Sequence, residues 1–222
     1  MEVQHLSLTC GSRTLAQDIS FRVQPGECLL LAGPNGCGKT TLLRTLAGLA
    51  GPSGSVVSDA TVVFIPTGIP KVKGFTVEAF IRTGCYRFSN WAGRLGAESE
   101  RRLEEALDVL GLGGCRGRDL STLSDGEFQK ACIAVGLARK ADILLLDEPT
   151  AFLDVDNRQM VLHCLSDLVR RSGMSVLFSS HDLHESLSVA RRVLAFTPGG
   201  FLESTQENRL EVLRAAFPEV TL

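Results

Sequence analysis

The run GPNGCGKT at residues 33–40 has the residue types and spacing that bind phosphate. Its glycines let the backbone wrap closely around an anion, and N–H groups at the start of the following helix would face phosphate oxygens. Lys39 would reach the β- and γ-phosphates of a nucleotide, and the hydroxyl of Thr40 would ligate Mg²⁺. The run lies between an apolar and a leucine-rich segment, which favours a strand–loop–helix phosphate site over a chance glycine turn. The predicted nucleotide contacts are Gly33, Pro34, Asn35, Gly36, Cys37, Gly38, Lys39, Thr40 and Thr41.

Two adjacent carboxylates, Asp147 and Glu148, follow a second apolar segment, ILLL at residues 143–146. Burying an unpaired charge is costly, so a core strand would not end in these residues without a partner for them. Beside Mg²⁺ the charge of Asp147 would be neutralised, and Glu148 could accept a proton from an attacking water. The alternative to this catalytic role is that Asp147 and Glu148 form an exposed acidic turn before Pro149. The presence of a phosphate-binding loop in the same chain favours the catalytic role.

His181 lies in SSHD, residues 179–182, at the end of a third strand-like segment. Ligands gather at the carboxyl ends of strands in open α/β sheets, so His181 would contact the γ-phosphate. A purely structural histidine remains the alternative. We therefore predict Glu148, His181 and Lys39 as the catalytic residues.

The run LSDGEFQ at residues 123–129 has the pattern of a second phosphate-binding helix start. Ser124 and Glu127 match a capping box, which accounts for both residues without any ligand. Gly126 needs another reason, because glycine weakens a first helical turn unless its N–H must approach an anion closely. This motif alone leaves helix capping and phosphate binding equally open.

Strand-like and helical segments alternate along the chain, which predicts an α/β fold. The strand-like segments are residues 3–9, 18–23, 27–33, 61–66, 143–147, 175–180 and 193–197. The first helix has an apolar stripe of Leu42, Leu43, Leu46 and Leu49 and would end near Gly48. Other helices are predicted over residues 76–82, 98–110 and around 128–135. The stretch from about 68 to 138 has only helical patterns, so it would be a helical subdomain inserted between core segments 1–67 and 139–222.

Composition is that of an ordinary globular chain of 222 residues, with 44% hydrophobic and 22% charged residues. A net charge of −2 gives no electrostatic footprint for nucleic acid, so we expect no nucleic-acid partner. The seven cysteines have neither CxxC spacing nor a ligand-like cluster, which favours reduced thiols in the cytosol. We expect no signal peptide, and the apolar runs are too short to span a bilayer.

Together, GPNGCGKT, LSDGE, ILLLDEP, AFLD and SSHD resemble the ATP-binding-cassette (ABC) ATPases in order and spacing over nearly the whole chain. The resemblance implies a P-loop NTPase core of ABC type, with a mixed sheet flanked by helices, an N-terminal antiparallel β part and an inserted helical subdomain. It implies ATP and Mg²⁺ as cofactors, with Thr40 and Asp147 as metal ligands. It also implies that Ser124, Gly126 and Asp154 act on ATP held by a second copy, in a head-to-tail homodimer.

The finer resemblance is to the ATPase subunits of importers for iron-siderophore, haem or cobalamin, through Asp125, DEPTAFLD (147–154) and TVEAFIRTGCYRFSNWAGRL (76–95). It implies integral membrane permease subunits as partners and a substrate-binding protein as an indirect one. The implied location is cytoplasmic, peripheral on the inner face of the cell membrane. We therefore expect an ATP hydrolase that powers an importer. The alternatives are a cytosolic ABC ATPase of the iron–sulfur assembly type and a regulatory nucleotide-binding module with little turnover.

An aromatic cluster lies in the same region, formed by Phe75, Phe80, Tyr86, Phe88 and Trp91. Aromatic residues are enriched at protein interfaces, and the neighbouring region of this family receives the permease. The alternative is that these rings form the core of the helical subdomain.

Four positions, Thr67, Cys10, Val135 and Arg191, depart from the pattern of the family, and two of them concern the predicted site. Thr67 stands where a glutamine is usual, which leaves a hydroxyl with shorter reach and no amide donor. Cys10 falls where an aromatic ring usually stacks on adenine, so base stacking would be weak or supplied elsewhere. Neither departure removes a predicted phosphate, metal or base residue.

Overall fold

The computed structural model describes residues 1–11, 13–51, 53–88 and 96–219. Trp91 of the aromatic cluster lies outside the described residues. The strands are β1 Glu2–Cys10, β2 Arg13–Arg22, β3 Cys28–Ala32, β4 Ser53–Val57, β5 Val62–Ile65, β6 Ile143–Leu146, β7 Ser175–Ser179, β8 Arg192–Thr197 and β9 Gly200–Glu203. The α-helices are α1 Lys39–Leu46, α2 Val77–Arg82, α3 Ala97–Val109, α4 Asp125–Ala138, α5 Val155–Ser172, α6 Leu183–Ser186 and α7 Arg209–Ala216. Short 3₁₀ helices cover Thr83–Phe88, Gly113–Cys115 and Leu120–Thr122.

A six-stranded sheet of order β5-β6-β7-β3-β8-β9 carries the predicted nucleotide motifs. Its strands pair in parallel except β9, which is antiparallel to β8. The carboxyl ends of β3, β6 and β7 therefore meet at one edge, where the phosphate-binding loop, the Asp147–Glu148 pair and His181 follow directly. A smaller antiparallel sheet, β2-β1-β4, covers the N-terminal part. The predicted mixed sheet with an antiparallel N-terminal part is confirmed.

The parallel strands are buried on both faces, and their side chains alternate between two apolar cores. Leu29 and Leu31 of β3 pack with the antiparallel sheet and α1. Leu30 of the same strand faces the core that is shared with α4 and α5. This period of two explains why the strands are continuous apolar runs rather than alternating ones.

The helices α2, α3 and α4 lie between β5 and β6 in the chain and pack on one another. Thr76 caps α2 by accepting a hydrogen bond from the backbone N–H of Ala79 at 3.2 Å. Gly111, with φ 63°, follows the end of α3 as predicted. The division into a core of 1–67 and 139–222 and a helical subdomain of about 68–138 stays a prediction.

Several sequence predictions need correction. Leu49 is not part of the α1 stripe, because α1 ends at Leu46 and Leu49 is 63% exposed. The strand predicted at 18–23 begins much earlier, at Arg13. The prediction also missed β4, β9, α5, α6 and α7. The sequence of β4, SGSVV, has little strand propensity, and its pairing with β1 supplies the partner that its own residues do not specify.

Among the described residues, none of the helices is long and apolar enough to cross a membrane.

Candidate nucleotide-binding and hydrolysis site

The phosphate-binding loop is held by close backbone packing and by Lys39. Gly33 has φ 148°, and a Cβ there would lie 2.8 Å from Sγ of Cys37 and 2.9 Å from Cβ of Phe196, so no larger residue fits. The Nζ atom of Lys39 donates to the carbonyl oxygens of Gly33 and Pro34 at 2.8 and 3.2 Å. These two bonds satisfy a lysine that is only 6% exposed and keep its charge within the loop.

Cys37 lies inside this loop and is half-buried. Burial raises the pKa of its thiol, against the opposing effect of the Lys39 ammonium. The thiol therefore stays protonated at neutral pH and packs as a small apolar group.

Asp147, at the end of β6, accepts hydrogen bonds on both carboxylate oxygens. The Thr40 hydroxyl donates to Oδ2 at 2.8 Å, and the Ser179 hydroxyl donates to Oδ1 at 2.9 Å. The Thr67 hydroxyl donates to the carbonyl oxygen of Asp147 at 2.6 Å. The hydroxyl groups of Thr40 and Ser179 thus fix a carboxylate of a residue that is 7% exposed, and Thr67 fixes the backbone of the same residue.

The oxygen atoms of Thr40 and Asp147 fit a magnesium ion. Mg²⁺ prefers oxygen ligands, and in nucleotide sites it uses one or two protein groups together with phosphate and water. Among the described residues, no group of three or more His, Cys, Asp or Glu side chains could hold a metal alone. A single hydroxyl and a single carboxylate are the protein share of a nucleotide-bound Mg²⁺, not of a metal site independent of nucleotide.

Glu148 and His181 form a close pair beside Asp147. Nε2 of His181 lies 2.6 Å from Oε1 of Glu148, and both side chains retain solvent access. The backbone of Glu148 is left-handed, with φ 48°, and its N–H donates to the Ser179 hydroxyl at 2.9 Å. A non-glycine residue in this region costs about 1–3 kcal/mol and persists where the surroundings hold it, often at functional sites. The predicted catalytic carboxylate and histidine therefore belong to one unit.

The start of α4 forms the predicted capping box. Ser124 Oγ accepts from the N–H of Glu127 at 3.1 Å, and Glu127 Oε2 accepts from the N–H of Ser124 at 2.8 Å. Hydrogen bonds from the Ser124 N–H, and then from Cys115 and Arg118, lower the pKa of Glu127. The capping box is therefore present, and in it Ser124 Oγ acts as an acceptor, whereas a phosphate would take the hydrogen of the same hydroxyl.

Gly126 has a packing reason that the sequence did not reveal. A Cβ at this position would lie 2.3 Å from Oδ1 of Asn157 and 2.6 Å from Cε of Met160. The first turn of α4 therefore approaches α5 too closely for a side chain. The prediction that Gly126 has no structural role is wrong, because the sequence did not predict α5, the helix against which Gly126 packs.

Asp154 is the N-cap of α5. Its Oδ1 accepts from the N–H of Asn157 at 2.8 Å, and its Oδ2 accepts from Nδ2 of Asn157 at 2.9 Å. Asn157 thus lies between Asp154 and Gly126. Within the described ranges, no hydrogen bond or ion pair joins Ser124, Gly126 or Asp154 to Lys39 or Thr40. The predicted site residues fall into two groups, one at the sheet edge and one at the starts of α4 and α5.

Three polar residues around these groups had no predicted role: Ser179, Asn157 and Lys71. The role of Ser179 could have been found from the strand pairing. The strands β6 and β7 are parallel neighbours in which Leu146 pairs with Phe178, so the next residues, Asp147 and Ser179, lie side by side. Lys71 and Asn157 had no such signal, because their partners Asp125 and Gly126 lie far away in the sequence.

Members of the aromatic cluster differ in burial, so some fit the predicted core role and others the predicted interface role. The ring of Phe80 stacks on that of Phe128, with centroids 6.0 Å apart, at the edge of the core. Phe75 and Tyr86 are exposed, by 37% and 58%. The side chain of Cys10, the predicted base-stacking position, lies outside the part that the structure describes.

The phosphate-binding loop, the carboxylate strand end and the histidine at one edge of a parallel sheet define a P-loop ATPase. A family profile described as ABC transporter matches residues 16–151. The chain therefore belongs to the ABC transporter family and is an ATP-binding, ATP-hydrolysing protein of it.

Three known proteins illustrate the similarity. The iron(3+)-hydroxamate import ATP-binding protein FhuC of Bacillus subtilis (strain 168) is 28% identical over 227 residues, covering 96% of this chain and 84% of the relative. The zinc import ATP-binding protein ZnuC of Roseobacter denitrificans is 35% identical over 199 residues, covering 87% and 74%. A solved inward-facing structure of a metal-chelate type ABC transporter aligns with a TM-score of 0.88 and 29% identity, over 98% of this chain and 88% of that one.

Proposed function

We propose that this chain is the ATP-hydrolysing subunit of a membrane importer, and that two copies bind MgATP head to tail. One observation carries the catalytic part of the proposal. Asp147 is held by Thr40 and Ser179 beside the phosphate-binding loop, with the Glu148–His181 pair next to it. The groups that would ligate metal, bind phosphate and accept a proton thus lie at one edge of the sheet.

Each of these residues has a role in hydrolysis. Lys39 would release its two backbone carbonyls and bind the β- and γ-phosphates, stabilising charge that develops in the transition state. Thr40 and Asp147 would hold Mg²⁺, which neutralises phosphate charge when bound. Glu148 would orient the attacking water and take its proton, while His181 would position Glu148 and contact the γ-phosphate.

The base of the nucleotide has an apolar place to bind next to the loop. A pocket of about 280 Å³ is lined by Leu15, Ala16, Pro34, Cys37 and Phe196, among others. Aliphatic and aromatic walls suit a flat heterocycle, so these residues would take over the contact that an aromatic at position 10 makes elsewhere in the family.

The second group of residues would complete the site of the other copy. Ser124 and Gly126 lie at the N-terminus of α4, where helix N–H groups favour an anion, and Asp154 begins α5 close by. A twofold head-to-tail pair would present this group to the phosphate of the partner. Phe152, two residues before Asp154, is 88% exposed and would be covered in such a pair.

The importer assignment comes from the relatives. FhuC is named for iron(3+)-hydroxamate import and ZnuC for zinc import, and the aligned structure is a metal-chelate type transporter. We therefore propose a cargo of the chelated-metal class, of which iron-siderophore, haem and cobalamin are members. Permease subunits would dock near exposed Phe75 and Tyr86, placing the chain on the cytoplasmic face of the membrane, with a substrate-binding protein as indirect partner.

Glu148→Gln tests the catalytic and dimer proposals together. The amide keeps the shape of the side chain but cannot accept the proton, so hydrolysis should fall by about 10²- to 10⁴-fold. ATP should then persist and hold the variant as a dimer on size-exclusion chromatography. A monomer with unchanged hydrolysis would contradict both proposals.

The permease is tested separately, by affinity purification from membranes of the source cell. We expect a many-spanning membrane protein to co-purify with the parent chain. Recovery only with soluble partners would contradict the importer proposal and leave the ATPase assignment intact.

A further inference from the structure

Lys71 joins the segment after β5 to the beginning of α4. Its Nζ donates to the carbonyl oxygen of Leu123 at 2.7 Å and lies 2.7 Å from Oδ1 of Asp125. The same ammonium is 5.8 Å from the ring centroid of Phe128, within the range of a cation–π contact. One lysine thus contacts a carbonyl, a carboxylate and a ring that all belong to the LSDGEF segment.

Asp125 creates an electrostatic conflict at this place. In the proposed dimer the N-terminus of α4 approaches the γ-phosphate of the partner's ATP, and a carboxylate there repels phosphate. The helix dipole favours Asp125 and phosphate alike, so it does not remove the conflict. The Lys71 ammonium neutralises the carboxylate and leaves the first N–H groups of the helix, which have no intrahelical acceptor, for the phosphate.

The segment that carries Lys71 also begins at the hydrolysis site. Thr67 donates to the carbonyl oxygen of Asp147 at 2.6 Å, and Ile69 packs against the main core. Residues 67–71 therefore connect the end of β6 to the start of α4 through side-chain contacts at both ends.

We infer that Lys71 is a positioning residue for ATP hydrolysis that acts through Asp125. It keeps the first turn of α4 electrically neutral and in place for the nucleotide of the partner copy. The inference rests on the proposed dimer and adds a residue outside the five motifs of the family.

The solvent exposure of the Lys71–Asp125 pair determines whether its loss should be measured in ATP turnover or in folding stability. The Lys71 side chain is 26% exposed and that of Asp125 is 66% exposed. Ion pairs of such exposure contribute little to folding, because water and salt screen them. Loss of the ion pair should therefore change turnover more than stability, and any fall in the unfolding midpoint in urea should be no larger than the loss of the hydrogen bond to the Leu123 carbonyl explains, about 1 kcal/mol.

The test compares Lys71→Met, Asp125→Asn, the double variant and the control Lys73→Met, which removes an exposed lysine two positions along the chain. We expect Lys71→Met to lower kcat by about fivefold, as expected for the loss of one exposed charge contact. Lys73→Met should match the parent. The double variant should recover to within about twofold of the parent, because Asp125→Asn removes the carboxylate that Lys71 neutralises. The deficit should also shrink in high salt.

A mixed dimer separates positioning of the partner's nucleotide from a local structural role. One subunit carries Lys39→Ala, so that only the other subunit's loop turns over ATP. Lys71→Met should lower turnover when placed on the Lys39→Ala subunit, whose α4 serves the active loop, and not when placed on the other.

Three outcomes would overturn the inference: Lys71→Met indistinguishable from Lys73→Met, a deficit that Asp125→Asn does not relieve, or a deficit in the mixed dimer that follows the subunit with the active loop. Glu148→Gln distinguishes this failure from a failure of the proposed function. If that variant forms an ATP-bound dimer while Lys71→Met behaves as the control, only the Lys71 inference fails. If it stays monomeric, the dimer proposal fails and the Lys71 inference fails with it.

Discussion

Nε2 of His181 lies 2.6 Å from Oε1 of Glu148, although the two residues come from different strand ends. The strands concerned, β6 and β7, are adjacent and parallel, so the residues that follow them emerge side by side. The contact places a partly exposed imidazole next to the predicted general base. His181 therefore has a specific partner in the predicted catalytic residue Glu148. A histidine with a purely structural role, the alternative left open by the sequence, would not need this partner.

The first prediction concerns this pair. His181→Ala should lower kcat by about 10²-fold, because Glu148 loses the group that orients it, while KM for ATP changes little. Steady-state ATPase assays check this. A raised KM with an unchanged kcat would show that His181 serves only in ATP binding.

The second prediction concerns Thr67. Thr67→Val keeps the shape of the side chain and removes the donor to the Asp147 carbonyl, so stability should fall by about 1 kcal/mol and hydrolysis several-fold. Thr67→Ser keeps the hydroxyl and should retain most of the activity. Urea unfolding and ATPase assays measure both effects, and equal losses in the two variants would exclude the hydroxyl as the cause.

The third prediction concerns the contact of α4 with α5. Alanine in place of Gly126 improves helix propensity by up to about 1 kcal/mol. Its Cβ would meet Oδ1 of Asn157 at 2.3 Å, and overpacking of this kind costs about 1–3 kcal/mol, so Gly126→Ala should be destabilising overall. In an Asn157→Ala background only the contact with the flexible end of Met160, at 2.6 Å, remains, so the same change should be clearly less destabilising. A double-mutant cycle in urea measures this coupling, and simple additivity would contradict it.

The fourth prediction is a pH dependence. The pKa of Glu127 is lowered in the folded state, first by the Ser124 N–H and then by Cys115 and Arg118. Its stabilisation is therefore complete above the unfolded value of about 4.3 and is lost as pH falls through the lower folded value. Glu127→Gln should cost about 1 kcal/mol at pH 7 and progressively less as the pH falls below about 4. Unfolding midpoints of both proteins across this range check the sign, and a gap that widens in acid would contradict it.

The local motifs were recoverable from the sequence because their chemistry lies within a few neighbouring residues. The phosphate-binding loop needs only a strand, glycines and Lys39 in succession, and the capping box needs only Ser124 and Glu127. The apolar segments that form β3, β6 and β7 were likewise predicted as strands. These features specified the fold class and the residues that would handle phosphate, metal and proton.

The tertiary structure alone decided which distant residues meet. Strand order brings Ser179 to Asp147, the close approach of α4 and α5 makes Gly126 necessary, and the path of the segment after β5 carries Lys71 to Asp125. The physical reason is that a sequence motif encodes local backbone geometry and side-chain chemistry, whereas contacts between segments far apart in the chain depend on how sheets and helices pack. The sequence thus determined the parts of an ABC ATPase, and packing determined that Asp125, an acidic residue in the first turn of α4, pairs with Lys71.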